Sequence, residues 1–273
     1  MGPNLYGFIL SIGILVAWLV ARKIAGRFGI GRTEVDDALP WIVIFGLLGA
    51  RMYYVVFSWN YFQDHLGDVF AIWKGGIAIY GAIPGAILGI YTYTKRRQIP
   101  FLNFISLIAV AAPLGQAIGR WGNYFNEEAF GMPTNLLWGI YISPEHRPVN
   151  YLDFDRFHPT FLYESLWNSM VFVILLVILR RVHPSLSLPI KGREIKKEDS
   201  SPLVGEERRG VDGLFAGLYL VLYGVGRFFI ESIRLDSFYI ANFRVDQIAS
   251  LLIILGGIAI LYFRHAPKVL ENS

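Results

Sequence analysis

The chain has 273 residues, 54% of them apolar and only 17% charged, with a mean hydropathy of +0.45. Soluble domains average about 45–50% apolar and about 25% charged residues, so this balance points to a bilayer rather than to water. The net charge of +4, with Lys and Arg confined to short blocks, argues against a nucleic-acid partner, and the lack of cysteine excludes disulfides, thiolate metal sites and a cysteine nucleophile.

A helix needs about 20 largely apolar residues to cross the hydrocarbon core. The first stretch to qualify is Leu5–Ala21; no basic residue precedes it, so it reads as an uncleaved span rather than a signal peptide. Leu39–Phe57, Ile77–Tyr93, Phe101–Ile118, Thr160–Leu179, Gly213–Ile230 and Val245–Phe263 follow. The third and fourth are the weakest, being short and interrupted by Pro84 and Pro113, breaks that neighbouring helices can accommodate. Gly81, Gly85 and Gly89 recur every four residues, a stripe suited to close helix packing. Between spans, residues 119–159 are rich in Asn, Trp, Tyr and Pro, whereas 182–212 mix charge with Pro, Ser and Gly as a flexible loop does. No internal repeat is evident, which counts against an inverted-repeat transporter.

Basic residues gather on alternate connections: Arg22, Lys23, Arg27 and Arg32; then Lys95, Arg96 and Arg97; then Arg180, Arg181 and the 182–212 loop; finally Arg264 and Lys268. By the positive-inside rule these connections are cytoplasmic. The expected fold is therefore all-α, a polytopic integral membrane protein with seven transmembrane helices, N-terminus outside and C-terminus inside. Residues 1–273 are read as one membrane domain, with 119–159 extracytoplasmic and 182–212 a cytoplasmic loop.

Ionisable side chains inside spans are costly and mark functional candidates. Arg51 lies within the second span, Arg227 near the outer end of the sixth, and Arg120 just beyond the outer end of the fourth. This topology puts three guanidinium groups at the level of the outer leaflet, and guanidinium suits bidentate contact with phosphate. Each arginine has an alternative role, snorkelling to headgroups or pairing with a nearby carboxylate. Tyr223, Arg227 and Glu231, spaced by four, share one helix face, where Arg227 and Glu231 can also form an internal ion pair.

The densest polar cluster is Gly119-Arg120-Trp121-Gly122-Asn123-Tyr124-Phe125-Asn126-Glu127-Glu128-Ala129-Phe130-Gly131. Its glycines allow tight turns or close backbone approach. Arg120, Asn123, Asn126 and Glu128 supply a cationic donor, two amides and a carboxylate directly beside a span. An amide-rich capping loop is the competing explanation.

At these residues the sequence resembles the bacterial prolipoprotein diacylglyceryl transferases. The segment matches that family's signature at Arg120, Asn123, Glu128 and Gly131, and the resemblance covers nearly the whole chain. Tyr6-Gly7 fits the first span, Gly49-Ala50-Arg51 the second, His158-Pro159 and Tyr163-Glu164 the start of the fifth, and Tyr223, Arg227 and Glu231 the sixth. One position departs: many members carry a histidine early in the third span, proposed as a base, where this chain has Tyr80 in Gly75-Gly76-Ile77-Ala78-Ile79-Tyr80-Gly81.

The resemblance implies an enzyme of the bacterial cytoplasmic membrane, with its site facing the outer leaflet. It would transfer the diacylglyceryl group of phosphatidylglycerol to the lipobox cysteine of an exported prolipoprotein, releasing glycerol phosphate. Implied partners are phosphatidylglycerol, lipobox-containing signal peptides and membrane lipids. Implied catalytic residues are Arg120, Tyr80, Tyr223, Arg227 and Glu231; implied phosphatidylglycerol-binding residues are Arg120, Asn123, Asn126, Glu128, Gly131, Arg51, Tyr6 and His158.

The chemistry fits these residue types. The nucleophile is the substrate's own thiolate, so the enzyme needs no cysteine, and charge developing on the leaving phosphate calls for fixed cations. No cofactor or metal is expected; the five histidines are scattered without ligand spacing. Three candidates for thiol activation remain: Tyr80 as a base with a lowered pKa, His158 as a base, or Tyr80 positioning phosphate while the arginine field acidifies the thiol. The last requires no imidazole and is the expectation here. A transporter of an anionic substrate is the alternative function, and it calls for charged residues through the depth of the membrane.

Overall fold

The structure, a computed structural model, describes residues 5–182, 213–237, 239–240 and 243–264. Most of the 182–212 loop, together with His183, His265 and Lys268, lies outside the described residues. Helices α1 (Leu5–Ile24), α2 (Arg32–Phe57), α3 (Trp59–Phe62), α4 (Ile79–Arg97), α5 (Phe101–Gly119), α6 (Trp121–Phe125), α7 (Thr160–Val182), α8 (Leu214–Glu231) and α9 (Val245–Phe263) follow in order. Short 3₁₀ turns lie on the connections, and two short antiparallel ribbons accompany the helices: β1 (Ile140–Tyr141) with β2 (Arg156–Phe157), and β3 (Tyr239–Ile240) with β4 (Phe243–Arg244).

Among the described residues, six helical segments are long and apolar enough to cross a membrane: those built on α1, α2, α5, α7, α8 and α9. The expected third span differs. α4 has 19 residues, but Thr92, Thr94, Lys95, Arg96 and Arg97 dilute its apolar character. α4 and α5 both run through their prolines, Pro84 and Pro113, without a break in the helix. Ile44, Leu48 and Met52 on α2, and Leu251, Leu252, Leu255 and Ile258 on α9, are exposed. Such rows of large apolar side chains are what a lipid-facing surface presents, since water-soluble monomers rarely expose large contiguous apolar patches.

The chain forms two compact units, residues 22–105 in one and residues 1–21 with 106–273 in the other. In the smaller unit α2 and α4 pack backbone to backbone. A Cβ at Gly89 would lie 2.6 Å from the Trp41 carbonyl oxygen, and added Cβ atoms at Gly81 and Gly85 would meet the carbonyls of Gly49 and Phe45. The glycine stripe thus serves helix contact. At the opposite edge of α2, Glu34 accepts a hydrogen bond from the Gly31 N–H at 2.6 Å and satisfies the helix start.

In the larger unit α1 meets α5 through Gly13 and Gly115, each of whose added Cβ atoms would sit within 2.7 Å of the other's carbonyl. α8 packs on α9 through Gly217, Gly224 and Gly257, and on α7 where the Trp167 indole covers Gly226. Trp167 Nε1 donates to the Leu222 carbonyl at 2.9 Å, so the indole both fills the gap and satisfies its own polar atom. Residues 126–159 fold over this end of the helices around a small core of Phe130, Ile142 and Phe157.

Candidate active site

Four helix ends of the larger unit converge here: the C-terminal ends of α5 and α8 and the N-terminal ends of α7 and α9. At their centre is Glu164, in the second turn of α7 and only 4% exposed. Its Oε2 takes Arg120 Nε at 2.5 Å, while its Oε1 takes Arg227 Nη1 at 2.8 Å and Arg234 Nη1 at 2.9 Å. Three guanidinium groups therefore share one carboxylate.

Further acids complete the network. Arg227 Nη2 pairs with Glu231 Oε2 at 2.7 Å and Asp246 Oδ2 at 2.5 Å. Arg234 grips Asp236 with Nε and Nη2 at 2.8 and 2.5 Å, a bidentate fork. Burial works against the charged form of Arg234, but the Asp236 hydrogen bond and the Glu164 charge outweigh it and hold its pKa above the ordinary arginine value. Glu231, fully buried, also accepts from Ser237 Oγ at 2.5 Å, and Arg244 donates to the Glu231 backbone carbonyl. Buried charges persist only when paired and hydrogen-bonded in this way.

Local packing fixes these positions. Trp121 Nε1 donates to Ser165 Oγ at 3.2 Å, and Ser165 donates to the Ala117 carbonyl at 2.8 Å, tying the α5–α6 junction to α7 and bringing Arg120 to Glu164. Gly131 N–H donates to the His158 carbonyl at 2.9 Å, and its residue bridges to Arg234. A Cβ there would lie 2.8 Å from the Ile233 carbonyl oxygen and 2.9 Å from His158 Cβ, so the residue that closes the signature must be glycine. Gly122 is likewise covered by the Tyr6 ring.

Arg120 differs from its neighbours. Its side chain is 27% exposed, and among the described residues Nη1 and Nη2 make no hydrogen bond. Asn123, nearly buried, donates through Nδ2 to Glu128 Oε1 at 2.8 Å, and Asn126 Nδ2 reaches the same oxygen at 3.4 Å. Glu127, with φ of 48°, turns the other way: its Oε2 accepts from Ser143 Oγ at 2.5 Å, Ser143 N–H at 2.7 Å and His146 Nδ1 at 3.0 Å. The Ser143 hydrogen bonds hold the Glu127 carboxyl below the usual carboxylate range. His158 Nδ1 lies 3.1 Å from the Tyr163 hydroxyl, which accepts from Trp138 Nε1 at 2.9 Å. Tyr223 lines a small crevice with Glu164, Asn168 and Arg227.

Arg120, Arg227 and Glu231 are thus joined in one network, with Tyr223 beside it and Asn123, Asn126, Glu128, Gly131, His158 and Tyr6 in the same unit. Arg51 and Tyr80 belong to the other unit. Arg51 is engaged there by backbone: Nε donates to Val69 O at 2.9 Å, Nη1 to Gly75 O and Gly76 O at 2.7 Å each, and Nη2 to Asp68 O at 2.5 Å and Ala71 O at 3.5 Å. The guanidinium N–H donors of Arg51 are thus directed at carbonyls of the 68–76 segment. Tyr80, in the first turn of α4, is exposed, its ring 6.0 Å from that of Tyr53.

Sequence reasoning assigned no role to Glu164, Arg234, Asp236, Arg244 or Asp246. The rule that singled out Arg51 and Arg227, an ionisable group inside an apolar helix, applies equally to Glu164 and to Asp246 in the first turn of α9. Arg234 and Arg244 carry no such signal, because they lie on the connection between α8 and α9.

The family model of prolipoprotein diacylglyceryl transferase matches residues 3–263. The chain is 41% identical over 256 residues to phosphatidylglycerol–prolipoprotein diacylglyceryl transferase of Fervidobacterium nodosum, covering 93% of this chain and 78% of that one. It is 40% identical to the protein of the same name from Nostoc sp. over 96% of this chain and 86% of that one. With the Thermotoga maritima protein of that name the identity is 41% over 96% of this chain and 82% of that one.

Proposed function

The chain belongs to the prolipoprotein diacylglyceryl transferase family, and from that premise we propose that the arginine network around Glu164 is where the donor's phosphate is held. The protein transfers the diacylglyceryl group of phosphatidylglycerol to the cysteine of a prolipoprotein. The observation that carries the site assignment is Arg120: Glu164 fixes its Nε, while among the described residues both terminal amines make no hydrogen bond, on a partly exposed rim. That is a preorganised fork for two phosphate oxygens. Asn123 and Asn126 orient Glu128 in the same signature segment, and Arg227 and Arg234 hold Glu164 in place.

The acceptor thiolate attacks the glycerol carbon next to the phosphate. The S–C bond forms as the C–O bond breaks, the electron pair leaves on glycerol phosphate, and the thiol proton passes to water or a nearby base. Fixed positive charge stabilises both the thiolate and the leaving phosphate. Tyr80 serves to position the donor rather than to take the proton. The acceptor is the lipobox cysteine, and the site faces the outer leaflet of a bacterial cytoplasmic membrane, with α4 counted as a seventh span. Support for that orientation comes from the larger unit: the network lies at one end of its helices, while Arg180, Arg181 and Arg264 lie at the other.

The test is transfer from labelled phosphatidylglycerol to a lipobox peptide by the purified protein. Arg120→Lys should lower kcat/KM roughly a hundredfold, since an ammonium cannot reproduce the fork. Wild-type turnover in that variant would refute the assignment.

A further inference from the structure

An open cleft of about 680 Å³ runs along residues 125–130 of the signature segment. Phe125, Phe130, Pro148 and Leu235 give it apolar walls, and Glu127, Glu128 and Asp236 line it with carboxylates, the first paired with His146. Its volume falls in the range of about 300–1,000 Å³ usual for ligand sites, and it is several times larger than a glycerol headgroup needs. The cleft borders the arginine network at Asp236, the bidentate partner of Arg234, and also includes Glu128, the partner of Asn123.

Two further features point to a polypeptide occupant. Among the described residues, the backbone N–H groups of Ala129 and Phe130 have no hydrogen-bond partner, although both residues line the cleft. Unpaired backbone donors lining a cleft seek carbonyl acceptors, which an extended chain supplies at every residue. The left-handed backbone of Ala129, φ 56°, breaks the local pairing that would otherwise use these donors.

Resting on the transferase reading, we infer that this cleft receives the segment of the acceptor polypeptide that follows its cysteine. With the cysteine at the network, the chain beyond it lies along 125–130 with its apolar side chains on Phe130, Pro148 and Leu235. The carboxylate of Glu128, whose partners are the neutral amides of Asn123 and Asn126, favours basic or neutral residues there and repels acidic ones.

Two lipobox peptides test this, one ending just after the cysteine and one carrying a longer neutral extension, assayed with phosphatidylglycerol in nanodiscs. The extension should lower the peptide KM about fivefold with kcat unchanged, a modest gain from added contacts. Acidic residues in the extension should cancel that gain. Pro148→Trp, which fills the cleft, should remove the advantage of the long peptide while leaving the short peptide and the phosphatidylglycerol KM as in wild type. Retained turnover of the short peptide certifies that the variant is folded. Equal KM values for both peptides on wild type would overturn the inference, and a Pro148→Trp effect on the phosphatidylglycerol KM would assign the cleft to the lipid headgroup instead. Equal slowing of both peptides would also overturn it. If wild type modifies neither peptide, the transferase reading fails first and the inference with it.

Discussion

At the scale of single residues, Glu164 is the point on which the site depends. One nearly buried carboxylate receives three arginines, so its charge is what lets those cations sit together. Glu164→Gln keeps the shape and removes the charge. Breaking a buried ion pair in this way costs about 3–5 kcal/mol, and thermal unfolding in detergent should show a clear fall in Tm. An unchanged Tm would mean that Glu231, Asp236 and Asp246 carry the charge balance without it. Tyr80 is a different kind of residue, exposed, with the hydroxyl as its only chemistry. If it positions the donor, Tyr80→Phe should raise the phosphatidylglycerol KM by roughly tenfold, the effect of losing one good hydrogen bond. Full activity in that variant would dismiss any essential role for the hydroxyl, and Tyr80→His would then tell whether an imidazole improves on it.

At the scale of elements, the 58–78 connection shows how an irregular segment is held in shape. Its exposed Phe70 and Trp73 cannot form a core, and its short 3₁₀ turns are bound instead by the Arg51 guanidinium. A surface triad helps: Lys74 and Tyr61 donate to Asp68 at 2.7 and 2.8 Å, and the Lys74 hydrogen bond first, then that of Tyr61, keeps this carboxyl below its usual range. Lysine has three donors where arginine has five. Arg51→Lys should therefore leave carbonyls of the 68–76 segment unsatisfied, and amide hydrogen exchange across the connection should accelerate at least tenfold. Unaltered exchange would show that the apolar contacts of Tyr54 and Phe62 suffice.

At the scale of the whole molecule, topology is the property to be measured. The chain has no cysteine, so single cysteines introduced at chosen sites report their side of the membrane without a background. Leu137→Cys, at a residue 93% exposed, should react with an impermeant maleimide added outside intact cells, whereas Gln98→Cys should react only after permeabilisation. The reverse pattern would invert the proposed orientation. Much of this architecture is legible in the sequence because the bilayer imposes length and apolarity on each span, and the helices begin or end within a few residues of those limits. α2 is the largest departure, starting at Arg32 rather than Leu39, because Glu34 caps a polar turn that no hydropathy rule includes. The signature segment is legible for its density of polar groups, but its partners are not. Which carboxylate meets Arg120, and whether Arg51 faces a phosphate or a ring of carbonyls, depends on how distant stretches are brought into register, and residue type alone is silent on that.

Arginine is used here in two opposed ways, and they differ in how they break. Around Glu164 the cations back one another up: deleting one leaves two still paired with the same acid, so damage accumulates by degrees and the scaffold outlives the loss of any single member. Arg51 is a keystone with no understudy, since five backbone oxygens lean on one side chain. Substitutions at Arg227 or Arg234 should grade activity, whereas at Arg51 they should act as a threshold, with little middle ground between an intact connection and a loose one.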